Sequence, residues 1–283
     1  MIPTIEKLAQ KANAKIAIGV SNEDRMQERT ISGALHVFKR GFAQPILVGS
    51  NIHEVPELQI INTSSPEETL LDLLISKKVQ GAVRGSFKAH AIMKALKNKL
   101  KDFTESNYIR IALIQNSLTD NMIYLSPVGI EEGRDINSKK LIVSKGVELL
   151  KLIGSTPKID VLAAGLFPDD LGRDSLADGT INDAIEIVRQ FKETKEFDIT
   201  TSGITFEKAI EEGANLIVSP NGIAGNLLYR TLVHVADWKS FGSVLAFQDL
   251  NFTDFVYIDT SSIGTVHEYR RALTFASALS SPK

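Results

Sequence analysis

The first fifty residues set short apolar strands on either side of an amphipathic helix, and few folds accommodate that order. Lys15-Ile-Ala-Ile-Gly-Val20 reads as a buried strand. Ser21-Asn-Glu-Asp-Arg25 opens a helix: Ser21 or Asn22 can cap it, the acids suit its first turn, and Met26, Ile31, Leu35 and Phe38 form its apolar face. Gly41 stops it, and Gln44-Pro-Ile-Leu-Val-Gly49 is the next strand. Strand, helix and strand at this spacing predict an α/β fold with a parallel sheet covered by helices. An amphipathic stretch from Thr4 to Ala14 precedes them.

The alternation continues. Gln59 to Ile61 reads as a strand, and Ser64-Ser-Pro-Glu-Glu as a capped helix start leading into Leu70 to Ile75. Gln80-Gly-Ala-Val-Arg-Gly-Ser86 is a strand and turn. It puts Arg84 near a strand's carboxyl end, where open α/β sheets bind ligands, and Ser86 in position to cap a helix from Phe87 to Leu100. The polar stretch Lys97 to Asn107 is the expected crossing, so the predicted lobes are 1–107 with 257–283, and 108–256. The second lobe opens with two antiparallel strands, Tyr108 to Ile114 and Asn121 to Leu125, then a charged loop, Pro127 to Asp135, before a helix from Ile136 to Ile153. Strand Lys158 to Ala163 leads to a long acidic loop, Gly165 to Gly179, with Asp178 as a possible cap for a helix from Thr180. Strand Asn215 to Ser219 runs through a tight Asn221-Gly222 turn into a helix whose first turn holds Gly225 and Asn226; unpaired N–H groups and the helix dipole there favour an anion.

Composition removes several classes. The net charge of −2 with no basic stripe lacks the footprint of a nucleic-acid binder. With no cysteine there is no disulfide, thiolate metal site or thiol nucleophile. The start has no apolar signal-peptide core, and no segment approaches ~18 uninterrupted apolar residues, so the expectation is a cytoplasmic protein without a membrane partner. Asp169, Asp170, Asp174 and Asp178 invite a divalent cation, but the Ca²⁺-loop pattern is incomplete and no metal is expected. No Gly-x-Gly-x-x-Gly follows the first strand and no Walker sequence occurs, which disfavours a dehydrogenase or nucleotide-binding protein.

Three ordered segments carry a resemblance. Asn221-Gly-Ile-Ala-Gly-Asn-Leu-Leu-Tyr-Arg-Thr-Leu is similar to the Gly-Asn-x-x-Tyr-Lys stretch of the phosphate acetyl/butyryl transferase superfamily, and Gly81-Ala-Val-Arg-Gly-Ser to its Gly-Ala-x-His/Arg segment. Val128-Gly-Ile-Glu-Glu-Gly-Arg-Asp-Ile136 resembles the Glu-Gly-Arg-Asp-Ile loop of its phospholipid-synthesis branch. Over nearly the whole chain the pattern resembles the methanogenesis marker protein 4 family, also named methyltransferase subunit X. The resemblance implies two α/β lobes, usually in a homodimer, with a cleft between them for an anionic acyl ligand and coenzyme A or acyl-carrier protein. It implies that Arg84 and Arg134 hold phosphate or carboxylate, with Ser86, Glu132, Asp135, Asn221, Gly225, Asn226 and Gly264 lining the substrate site. Ser262 would hydrogen-bond the reacting carbonyl or leaving group, and Glu268 would serve as base. Two departures stand out. Ser262-Ile-Gly264 replaces the Ser-Arg-Gly of phosphotransacetylases, and the acidic loop replaces their glycine- and serine-rich stretch. The chain is thus expected to be either an acyl- or phosphate-handling transferase or a non-catalytic, methyltransferase-associated accessory protein that keeps the fold.

Overall fold

The computed structural model describes residues 2–100 and 108–281, so the expected crossing lies outside the described residues from position 101 to 107. The chain divides into two compact units. Unit 1 comprises Met1–Tyr108 with Ser240–Lys283, and unit 2 is the continuous segment Ile109–Lys239.

Unit 1 contains helices α1 (Ile2–Ala12), α2 (Asp24–Lys39), α3 (Pro66–Ile75), α4 (Ala89–Lys99) and α9 (Val266–Leu279). Its strands are β1 (Lys15–Gly19), β2 (Gln44–Gly49), β3 (Gln59–Asn62), β4 (Gly81–Val83), β10 (Lys239–Phe247) and β11 (Val256–Asp259). Their order is β3-β2-β1-β4-β11-β10, parallel except for β10, which runs antiparallel to β11 through Ser243↔Asp259. Strands β1, β2 and β4 read as unbroken apolar runs because helices cover both sheet faces. One core gathers Leu70, Leu71, Ile92 and Leu96 of α3 and α4 with Ala17, Val48 and Tyr257 of the sheet. On the other face α9 packs against α1 and α2. Gly33 permits this approach, since a Cβ there would stand 3.1 Å from both Tyr269 Cβ and Val266 O. The expected return at Tyr257 differs from the division by one strand: β10 pairs with β11 and shares unit 1's core through Leu245.

Unit 2 contains helices α5 (Ile136–Leu152), α6 (Ser175–Thr194), α7 (Phe206–Glu211) and α8 (Gly222–His234). Its strands are β5 (Tyr108–Gln115), β6 (Met122–Ser126), β7 (Lys158–Leu162), β8 (Asp198–Gly203) and β9 (Leu216–Val218), in the order β5-β6-β9-β7-β8. The pair β5 and β6 is antiparallel, as the short connection requires, and the others are parallel. Helix α6 begins five residues earlier than the sequence suggests. Asp174 caps it, while Asp178 accepts from the Gly172 N–H at 2.9 Å. Helix α2 is entered at Glu23 without a side-chain cap, in place of Ser21 or Asn22. In each unit the strands are mostly parallel and flanked by helices, the α/β class the sequence predicts.

Candidate functional site

In unit 1 the carboxyl ends of β1, β4 and β11 lie side by side, and the residues that follow them form one polar cluster. Arg84 leaves β4 with its N–H still donating to Ile258 O at 2.9 Å, which draws its side chain into the structure, where it is buried. Its Nε donates to Asp259 and its Nη1 to Phe87 O at 3.0 Å; Nη2 makes no hydrogen bond among the described residues. Burial pulls the guanidinium pKa down, but Asp259 and Tyr257 more than restore it, so the net shift is upward and the charge is permanent. Ser86 does not cap α4, whose N-cap is Lys88. Its Oγ accepts from Ser21 N–H at 2.9 Å and meets Thr30 Oγ1 at 3.1 Å, tying the turn after β4 to the turn after β1 and to α2. Gly85 is the residue that makes this possible: its φ is +62°, and a Cβ would sit 2.0 Å from Gly19 O.

The turn after β11 is held from α9. Glu268 Oε1 accepts from Ser261 N–H at 3.0 Å, and Thr265 caps the helix by accepting from Glu268 N–H at 3.1 Å. The Tyr269 hydroxyl accepts from Gly264 N–H and donates to Ser261 O, both at 3.0 Å. Gly264 packs so closely that a Cβ would meet the Tyr269 ring at 2.9 Å and Glu268 Oε2 at 3.1 Å. Ser262 stands half-buried at the crest and makes no hydrogen bond among the described residues, and Ile263 beside it is 71% exposed. Desolvation raises the Glu268 pKa against the opposing pull of the Ser261 N–H, Arg271 and Arg84. Arg84, Ser86, Ser262, Gly264 and Glu268 are therefore gathered within one unit, around strand ends.

The other expected residues gather in unit 2, and most are committed to its own architecture. Asp135 caps α5 through Ser138 N–H at 2.8 Å, and Asn221 caps α8 through Ala224 N–H at 3.0 Å. Gly225 is not in position to offer its N–H to an anion, because that N–H donates to Asn221 O at 3.0 Å within the helix. Its lack of a side chain serves close approach instead: a Cβ would lie 1.9 Å from Pro127 O. Asn226 Nδ2 donates to Val128 O at 2.8 Å, and Gly222 N–H donates to Glu132 O at 2.9 Å. The loop after β6 and the start of α8 are thus one interlocked piece. Arg134, exposed at the end of this loop, is the member of the set with no such commitment among the described residues.

Glu132 is the buried centre of that piece. Its carboxylate accepts from Arg110 Nη1 at 2.8 Å, Arg110 N–H at 3.0 Å and Gly129 N–H at 3.2 Å. Desolvation outweighs the pull of Arg110 and lifts its pKa to about 7. A folded-state pKa above the unfolded value means stability present below about pH 4.5 and lost as pH rises through 7, a difference of roughly 3 kcal/mol. We expect Glu132→Gln to flatten that slope by this amount between about pH 4.5 and 7. Urea unfolding read by Trp238 measures it, and parallel wild-type and variant slopes would show that Glu132 carries no such linkage.

Sequence reasoning passed over Asp259, Tyr269, Thr30 and Arg110. Arg110 had a signal: a lone charge in the strand Tyr108-Ile-Arg-Ile-Ala-Leu requires a buried partner. Asp259 and Tyr269 had none, since their partners lie across the fold or in the turn that precedes α9. Among the described residues no three His, Asp or Glu side chains group as metal ligands, and no helix is long and apolar enough to cross a membrane.

No family model matches the chain. It is 32% identical over 286 residues to the "Putative methyltransferase mtx subunit X" of Methanosarcina mazei, covering 99% of this chain and 95% of that protein. It is 22% identical over 271 residues to the phosphate butyryltransferase of Clostridium acetobutylicum, covering 84% of this chain and 86% of that one. Among solved structures, a branched-chain phosphotransacylase from Enterococcus faecalis superposes with a TM-score of 0.71 at 16% identity, covering 94% of this chain and 98% of its own, and shares the fold. The chain belongs to the methyltransferase mtx subunit X family, within the phosphate acetyl/butyryl transferase superfamily.

Proposed function

We propose that unit 1 binds an anionic acyl or coenzyme ligand, with coenzyme A as a substrate, and handles it as an acyl- or phosphate-transferring enzyme does. The observation that carries this reading is a permanently charged, buried Arg84 with an unused Nη2, gathered with the uncommitted Ser262 hydroxyl and the buried acid Glu268 at parallel strand ends. Arg84 holds the ligand's phosphate or carboxylate. Glu268, made more basic by burial, takes the proton of the attacking thiol; the thiolate adds to the acyl carbon, and phosphate leaves while Ser262 donates a hydrogen bond to the departing oxygen. A homodimer and a cytoplasmic location belong to the same reading. Acetyl- or butyryl-phosphate with coenzyme A should give thioester, and Glu268→Gln should lower the rate ~10²-fold or more, within the range of lost acid–base catalysis. Absence of thioester from folded wild-type protein would remove the transferase reading.

One observation favours a second reading, an accessory protein associated with a methyltransferase. Exposed Ile263 stands where the phosphotransacetylase resemblance expects the arginine that meets the acyl-phosphate charge. The name of the Methanosarcina relative as a subunit fits that role. Ile263→Arg should then create or raise thioester formation by ~10²-fold, the scale of one transition-state charge stabiliser. A folded but inert variant would show that this residue alone does not account for inactivity.

A further inference from the structure

The loop between β7 and α6 takes no part in the cluster above, and it is built inside out. Its polar groups serve its own backbone. Asp170 accepts from Leu166 N–H at 2.8 Å and pairs with Arg173, while Asp178 accepts from Gly172 N–H at 2.9 Å. Asp174 accepts from Leu176 and Ala177 N–H at 2.9 and 3.0 Å, and Thr180 Oγ1 from Ala164 N–H at 2.8 Å. A loop tied at this many points has one shape. Large apolar side chains of the loop and of the first turn of α6 are nevertheless left in solvent: Phe167 is 61% exposed and Leu176 81%, with Leu166 and Leu171 also exposed. Ile204 joins them from the end of β8, where a Cβ on Gly203 would lie 2.9 Å from Leu166 Cδ2. An exposed apolar cluster on a rigid frame marks a surface made to be covered.

We infer that this face docks a partner protein presenting an apolar helix face rimmed by lysine or arginine. The sign follows from charge: Asp169, Asp170, Asp174 and Asp178 belong to the same segment as the apolar side chains, against Arg173, which Asp170 already holds. A second copy meeting the same face would set these acids against each other, a costly juxtaposition. Five large exposed apolar side chains interspersed with acids match the combination of apolar anchors and polar rim found at protein interfaces. The inference goes beyond the transfer reading, because it needs no residue of the unit 1 cluster.

The test uses the full chain and two fluorescent amphipathic peptides with the same leucine face, one carrying lysines and the other glutamates on its polar face. By anisotropy the lysine peptide should bind at least ~10-fold tighter than the glutamate peptide and than a scrambled lysine peptide with no apolar face. The Phe167→Ser/Leu176→Ser variant should lose ~10-fold or more of that binding with an unchanged thermal midpoint, and Asp169→Asn should weaken it and reduce its salt dependence. Equal binding of the three peptides, or unchanged binding by the double variant, overturns the inference. So does sedimentation showing a wild-type dimer that the double variant converts to monomer, since the face would then belong to a second copy. Thioester formation measured on the same samples reports on the transfer reading separately.

Discussion

Replacing Gly222 with alanine is expected to destabilise unit 2 by about 3 kcal/mol or more, at the upper end of what overpacking costs. A Cβ at this position would lie 1.7 Å from Gly129 O and 3.0 Å from Glu132 O. Both obstacles are backbone atoms, so no rotamer change relieves the overlap. The loop after β6 must move, and with it go the hydrogen bond from Gly222 N–H to Glu132 O and the Asn226 contact to Val128 O. Trp238, the one tryptophan of the sequence, packs against the unit 2 core, so its fluorescence in urea follows this unit. Gly179→Ala in α6 is the control. Nothing lies within 4 Å of its Cβ position, and helix propensity favours alanine by about 1 kcal/mol. A Gly222→Ala stability within ~0.5 kcal/mol of wild type, the scatter of neutral surface changes, would contradict the interlocked loop and helix.

The second large effect belongs to unit 1. Asp259→Ala should cost about 3 kcal/mol, because it strips the buried Arg84 of its counter-charge and leaves Phe87 O as its remaining hydrogen-bond acceptor. The cost of breaking a buried pair exceeds the worth of the pair itself, and this predicts a sign in the double-mutant cycle. Arg84→Met with Asp259→Ala should be less destabilised than the sum of the two single changes, by at least ~1 kcal/mol. Strict additivity would mean that the two side chains do not interact in solution. Asp259→Asn, which keeps an acceptor oxygen without the charge, should fall between wild type and alanine.

The elements were legible where physics is local. Strands β1, β2 and β4 are buried on both faces, so their sequences are apolar without interruption, and the antiparallel pair β5 and β6 follows from a connection too short for a crossover. The roles of single residues were less so. Asp174 and Asp178 have the same side chain four positions apart, and only the fold decides which one caps α6 and which one holds Gly172. Gly225 had the look of an anion-binding glycine because a glycine at a helix start is needed for either purpose. Its real neighbour, Pro127 O, comes from far away in sequence. Ser86 likewise had the position of a cap, but its hydroxyl is taken by Ser21 N–H and Thr30, partners that no local pattern announces. Arg84 was found because charge near a strand end is a local signal, and Glu268 came through the family resemblance; their burial, which gives them their chemistry, was not legible.

Helix α9 closes unit 1, with Ala272, Leu273, Phe275, Ala276 and Leu279 buried and Ser277 bonded to Ala9 O and Ala14 N–H at opposite ends of the sequence. On the ribosome this imposes an order. Unit 2 is one uninterrupted segment and has all its strands as soon as Lys239 has emerged, whereas α1, α2 and β1 wait with one sheet face uncovered until the last helix is made. A nascent chain of this protein therefore carries a finished inner unit and an unfinished outer one for the whole time that Ser240 onward is being translated. During that interval its exposed apolar surface is the far side of the β1 sheet, and chaperone demand falls on the end of the chain that was synthesised first.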